Sequence, residues 1–185
     1  SKNSIKSKLL ALCVCFFTIS AFAQKQNAIH PGQVWLDTSG KPIQAHGFSV
    51  FYKDGTYYWY GENKEFTKSG SNIWTYGIRC YTSKDLYNWE DKGLIIPPDT
   101  ENPLSSLHPS QQYDRPHIIF NPKTKKYVAW IKVMGSSQSM TILTADDFMG
   151  PYTKIKEGYR PNGFESGDFD LYMDEKTGKG YIWAE

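Results

Sequence analysis

After residue 30 the chain alternates short aromatic and β-branched runs with turn residues, and no window of a dozen residues carries a helical period. Three segments share one plan. FSVFYKDGTYYWY (48–60) reads as a strand, a turn at Asp54-Gly55 and a second strand. HIIFNPKTKKYVAWI (117–131) repeats it around Asn121-Pro122, and FDLYMDEKTGKGYIW (169–183) around residues 174–179. A second element alternates with these hairpins: a strand, an Asp-centred turn, an aromatic, then a strand. It occurs at Ile78–Ile95 around Asp85 and again at Thr141–Ile155 around Asp147, 62 residues later. Aligning the hairpins on Tyr57, Tyr127 and Tyr181 gives spacings of 70 and 54. Four strands in such a repeat make one blade of an all-β propeller, so the pattern predicts two blades and the first hairpin of a third. A β-sandwich is the alternative. The strand pattern runs on to Glu185 without a stop signal, which predicts an N-terminal fragment with an unpaired sheet edge.

The first 23 residues break from this pattern. Lys2, Lys6 and Lys8 precede an apolar stretch from Leu9 to Ile19, then Ala21-Phe22-Ala23, the arrangement of a secretory signal cleaved before Gln24. An N-terminal membrane anchor is the other reading of so short an apolar run. Removing residues 1–23 leaves 24–185 as the N-terminal part of one domain, secreted or periplasmic, with no membrane association. It also turns 21 basic against 19 acidic side chains into 18 against 19. No basic block remains, so a nucleic-acid partner is excluded. Cys13 and Cys15 leave with the leader. Cys80 alone cannot form an internal disulfide, no Cys/His spacing suggests zinc, and its strand context marks it as a small buried apolar residue.

DGTYYWYGEN (54–63), SKDLYNW (83–89), RPHIIFNPKTKKYVAWI (115–131) and GDFDLYMDEKTGKGYIW (167–183) occur in one order, and together they resemble glycoside hydrolase family 43 over residues 33–185. The resemblance implies a five-bladed β-propeller, of which about two and a half blades are present. It also implies inverting hydrolysis of O-glycosidic bonds in plant polysaccharide, with an oligo- or polysaccharide as the partner. The Ala-His-Gly start, the Tyr-Trp-x-Gly-Glu strand and the acidic-Arg-Pro motif are similar to the exo-β-1,3-galactanase-like branch. An α-L-arabinofuranosidase or β-xylosidase of the same family, or a non-catalytic carbohydrate-binding propeller, are the alternatives.

Inversion needs a protonated carboxylic acid at the leaving oxygen and a group that activates water on the opposite face. The resemblance places the acid in a fourth blade, beyond Glu185, so this segment alone is expected to be inactive. The Asp that many members carry in the first hairpin is missing from Ile43-Gln-Ala-His-Gly-Phe48. His46 stands there as a substitute, a sugar contact or a structural histidine. Asp168 matches the Asp that modulates the acid's pKa and orients it. Asp170, two residues on, reads as a strand-end side chain. Asp114 takes the place of a sugar-binding Glu, one methylene shorter, and Arg115 either binds sugar hydroxyls or pairs with Asp114. Glu62 matches a funnel-facing Glu, the other reading being a surface carboxylate. Trp59, Trp130 and Trp183 fall at corresponding places in the hairpins and read as blade packing. Trp74 sits in an insertion and is the candidate sugar platform. Residues 102–112 form a loop suited to the funnel mouth. No cofactor is required. Some family members hold a structural Ca²⁺ in the central channel, and no ligand set in this sequence demands one.

Overall fold

Turn chemistry sets the three hairpins. Asp54 and Gly55 both adopt positive φ, 49° and 73°, the two-residue turn whose twist matches that of the strands it joins. The other two hairpins close through longer loops. The side-chain oxygen of Asn121 accepts from the amides of Lys123 and Thr124, and that of Asp174 from Lys176 and Thr177. Each loop ends on a left-handed residue, Lys125 and Gly178.

A computed structural model describes residues 25–185 apart from residues 136, 137, 164 and 166; the leader at 1–23 lies outside the described residues. The strands are β1 (His46–Lys53), β2 (Thr56–Glu62), β3 (Ile78–Ser83), β4 (Glu90–Ile96), β5 (Tyr113–Asn121), β6 (Lys126–Val133), β7 (Ser139–Ala145), β8 (Thr153–Tyr159), β9 (Phe169–Asp174) and β10 (Lys179–Ala184). They form two four-stranded antiparallel sheets, β1-β2-β3-β4 and β5-β6-β7-β8, and a two-stranded β9-β10. This is the predicted pair of blades and a third opening hairpin. β1 adjoins β5 and β5 adjoins β9, so the first strands of successive units meet along one line.

Strand alternation gives each blade two faces. Tyr60, Ile78, Cys80 and Ile96 of the first blade pack on Tyr113, Ile118, Tyr127, Ala129 and Ile131 of the second in one buried cluster. Phe148 stacks on Phe51 with ring centroids 4.8 Å apart. Tyrosine hydroxyls lock this interface. Tyr60 Oη accepts from the amide of Ile118 at 2.8 Å, and Tyr113 Oη from the amide of Gly77 at 2.7 Å. Burial pushes the Tyr60 hydroxyl up to about 12, so it stays protonated. Burial likewise holds the Cys80 thiol at about 12, an inert packing group. The opposite face of the first blade carries Trp59, Tyr81 and Trp89, covered by Trp35 and Ile43 from the preceding segment.

The register corrects the expectation for the tryptophans. Trp130 and Trp183 each stand four positions beyond the residue that closes the hairpin, Lys126 and Lys179, whereas Trp59 stands three beyond Thr56. One position reverses the face. Trp59 therefore points to the first blade's outer side, while its counterpart in the second blade is Ala129, and Tyr60 matches Trp130. Trp183 is 61% exposed on the free face of the third hairpin, beside exposed Tyr172 and Tyr181.

Tyr60→Phe removes the hydroxyl and leaves the buried Ile118 amide without an acceptor. It should cost about 1–3 kcal/mol, read as a lower urea midpoint at unchanged m-value.

Candidate functional site: a charged hub where the first strands meet

The first strands of both complete blades carry a bulge at the same place. In β1, His46 pairs with Glu62 and Ser49 with Tyr60, so Gly47 and Phe48 face Gly61 alone. In β5, Asp114 pairs with Lys132 and His117 with Trp130, so Arg115 and Pro116 face Ile131 alone. A bulge bends the strand and re-aims its side chains. Both bulges use left-handed backbone, Gly47 at φ 55° and Arg115 at φ 51°. Glycine is required at 47 for a second reason: a Cβ there would stand 2.3 Å from Glu62 Oε1. At Arg115 a non-glycine residue bears the strain of that conformation, and contacts at both its ends hold it there.

Those contacts organise the hub. The backbone amide of Arg115 donates to Glu62 Oε1 at 3.1 Å, and its side-chain Nε lies 2.8 Å from Asp168 Oδ1. The guanidinium thus pairs with Asp168 and not with Asp114. Glu62 is 3% exposed, which rules out the surface reading. Its Oε2 receives Lys64 Nζ at 2.7 Å and has His46 Nδ1 at 3.9 Å. Lys64 Nζ also lies 4.2 Å from the centre of the Trp74 ring and donates to the Trp74 carbonyl at 2.8 Å. The Trp74 amide in turn donates to Pro109 O, which ties the insertion to the 102–112 loop. Asp114, 8% exposed, and Asp168, half-exposed, share a single ammonium. Lys132 Nζ stands 2.8 Å from Asp168 Oδ1 and 3.6 Å from Asp114 Oδ1. All six expected site residues, His46, Glu62, Trp74, Asp114, Arg115 and Asp168, belong to this one connected set. Lys64 and Lys132 were not foreseen. Lys64 stands two residues past β2 and Lys132 inside β6, and nothing local in the sequence marks either as a hub residue.

The environments of the two aspartates push them apart. Burial raises the pKa of Asp114, and Glu62 adds to this against the pull of Lys132 and Arg115. The hydrogen bond from Lys132, with the charge of Arg115, lowers that of Asp168. Asp114 Oδ1 is buried and accepts no hydrogen bond. One layer along, Ser49, His117 and Asp170 occupy matched positions in the three units. His117 Nδ1 lies 3.0 Å from Ser49 Oγ and 3.2 Å from Asp170 Oδ1. Asp170 thus joins a cross-blade link instead of standing alone at a strand end. Burial lowers the pKa of His117 against the pull of Asp170. Among the described residues no group of three or more His, Cys, Asp or Glu is placed to hold a metal ion. A cavity of about 640 Å³ against residues 25–40 lies apart from the hub. Its one carboxylate, Asp37, is committed to the amides of Ser39 and Lys41.

Solved structures share this architecture. A GH43 β-1,3-galactosidase matches at 34% identity and TM-score 0.70, over 84% of this chain and 33% of its own. An exo-β-1,3-galactanase variant from Phanerochaete chrysosporium, bound to β-1,3-galactotriose, matches at 33% and 0.73, over 85% and 36%. The chain belongs to glycoside hydrolase family 43. A further family 43 match is an exo-β-1,3-galactanase from Clostridium thermocellum, at 29% identity and TM-score 0.69, over 83% of this chain and 34% of that one. The chain spans about a third of the length of these enzymes, and its blades are a sector of the family 43 propeller. No protein-family model and no curated protein matches it.

The opposed pKa directions set a pH signature. Asp114, raised on folding, favours the folded state while protonated, and that contribution is lost as pH climbs through its folded value. Asp168, lowered on folding, contributes fully above the ordinary carboxylate range and loses this as pH falls through its folded value. Asp114→Asn removes the charge that burial penalises. It should raise the urea midpoint at pH 7, with a gain that vanishes on acidification.

Proposed function

We propose that the full-length protein is an exported, inverting exo-acting glycoside hydrolase that releases galactose from β-1,3-linked galactan. One observation carries the reading: Asp114 and Asp168, from two different units, converge on a single buried ammonium. The galactotriose complex of the Phanerochaete enzyme, and a galactose complex of the same enzyme, support a galactose-containing substrate. Residues 1–23 support export.

In this mechanism the terminal sugar enters the hub. Asp114 accepts a sugar hydroxyl, Glu62 and Arg115 shape the wall beside it, and His46, exposed at the rim, reaches the substrate or its attacking water. Asp168 stays ionised. Its negative charge raises the pKa of the family's fourth-blade acid and orients it. Water attacks the anomeric carbon while a basic group on the opposite face takes its proton, the glycosidic C–O bond breaks, and the acid's proton goes to the leaving oxygen. Trp74 offers a ring face to the next sugar. Its position beyond the Lys64–Glu62 pair supports a contact outside the cleavage subsite.

The decisive experiment incubates the full-length gene product with β-1,3-galactan and follows the reaction by proton NMR. Galactose should appear first as the α-anomer. Release of arabinose or xylose from nitrophenyl glycosides, with no action on galactan, would assign the chain to the other activities of the family. Binding without turnover would make it a carbohydrate-binding propeller. Asp168→Asn should lower kcat about 10²-fold or more. Trp74→Ala should instead raise KM about tenfold, the equivalent of about 1.4 kcal/mol, with kcat unchanged.

A further inference from the structure

Lys132 is a long cationic side chain only 6% exposed, in a strand whose flanking residues, Ile131 and Val133, are buried and apolar. Taking an ammonium out of water costs several kcal/mol unless close carboxylates offset it. The blade itself does not demand a lysine there. The matching position in the first blade, opposite His46, is Glu62, and the residue two beyond Trp183, as Lys132 is two beyond Trp130, is Glu185. The same backbone site therefore accepts a carboxylate, and the ammonium answers to the hub.

Its two contacts are unequal. At 2.8 Å from Asp168 Oδ1 the ammonium donates a hydrogen bond, whereas at 3.6 Å from Asp114 Oδ1 it acts by charge alone. Asp114 Oδ1 is consequently buried with no donor. Resting on the glycosidase reading of this site, we propose that Lys132 is a positioning residue that fixes the Asp168 carboxylate by a hydrogen bond while lending Asp114 only its charge. The other charged groups facing this pair are Glu62 from β2, held by Lys64 and flanked by His46, and Arg115 from β5. The Glu185 amide donates to the Asp168 carbonyl at 3.1 Å and fixes the backbone there.

The test is a carbon-13 NMR titration of the aspartate carboxyls in the full-length gene product, alongside the pH profile of kcat/KM. Lys132→Met should move the Asp168 midpoint up by about one pH unit, and the acid limb of kcat/KM should move with it. Lys132→Arg should restore most of both. Asp168→Asn frees the ammonium to turn to Asp114, so the Asp114 midpoint should fall. Asp168 is half-exposed, so this variant tests the sharing even where Lys132→Met does not fold. An Asp168 midpoint unmoved in folded Lys132→Met, or an Asp114 midpoint unmoved in Asp168→Asn, overturns the proposal. Both titrations are read whether or not galactan is cleaved, so failure of the positioning role is distinct from failure of the glycosidase reading.

Discussion

The packing of one blade's face on the next is the constraint from which the site follows. Each hub residue stands at the end of a strand or just before one, and no single blade holds the set. Glu62 comes from β2, Asp114 and Arg115 from β5, Lys132 from β6, and Asp168 from the approach to β9. They meet because Tyr60, Cys80 and Ile96 bury against Ile118, Ala129 and Ile131, and because two tyrosine hydroxyls accept backbone amides across the seam. Apolar burial alone would tolerate sliding. The hydroxyl-to-amide bonds pin the register, since a slip would strand a buried donor. Precision at the hub is thus set in the wall between blades.

On that wall the bulges do a second job. A regular strand would alternate its side chains away from the axis every other residue. The extra residue at Gly47-Phe48 and at Arg115-Pro116 bends each first strand beside its acidic partner. At 47 the close approach of Glu62 leaves room for no side chain. At 115 the strain is held by two contacts: the amide reaches Glu62 and the guanidinium reaches Asp168. One residue thereby couples all three units.

The hairpins were readable in the sequence because their turns are local chemistry. Asp54-Gly55, Asn121 and Asp174 announce themselves without tertiary information. The alignment of tryptophans across hairpins failed for a physical reason. Counted from the residue that closes each turn, Tyr57 and Tyr127 stand at one offset, whereas Tyr181 stands one later than they do and Trp59 one earlier than Trp130 and Trp183, so aligning like residues crossed the register. In a period-two structure that slip moves a ring to the opposite face. The carboxylates of the site were legible because motif spacing marks strand starts. Their cations were not. Lys132 finds Asp168 across 36 residues of sequence, and nothing local marks a lysine as buried. For the same reason the sequence reads Arg115 as a sugar contact or a partner of Asp114, whereas it pairs with Asp168.

Repetition explains how one scaffold gives neighbouring groups opposite tasks. Glu62 and Lys132 occupy the same register position in successive blades with opposite charge. Had both been carboxylates, the hub would have gathered four acids, Glu62, Asp114, Asp168 and the one replacing Lys132, around Lys64 and Arg115. The inversion at 132 lets three carboxylates approach one another. It also splits them, because a single ammonium can hydrogen-bond one carboxylate closely and merely neighbour another. Asp168 is held charged, while Asp114, drier and less well paired, leans toward its neutral form. The backbone repeat supplies the positions, and one change of charge within it supplies the difference between a carboxylate that is closely hydrogen-bonded and one that is merely neighboured.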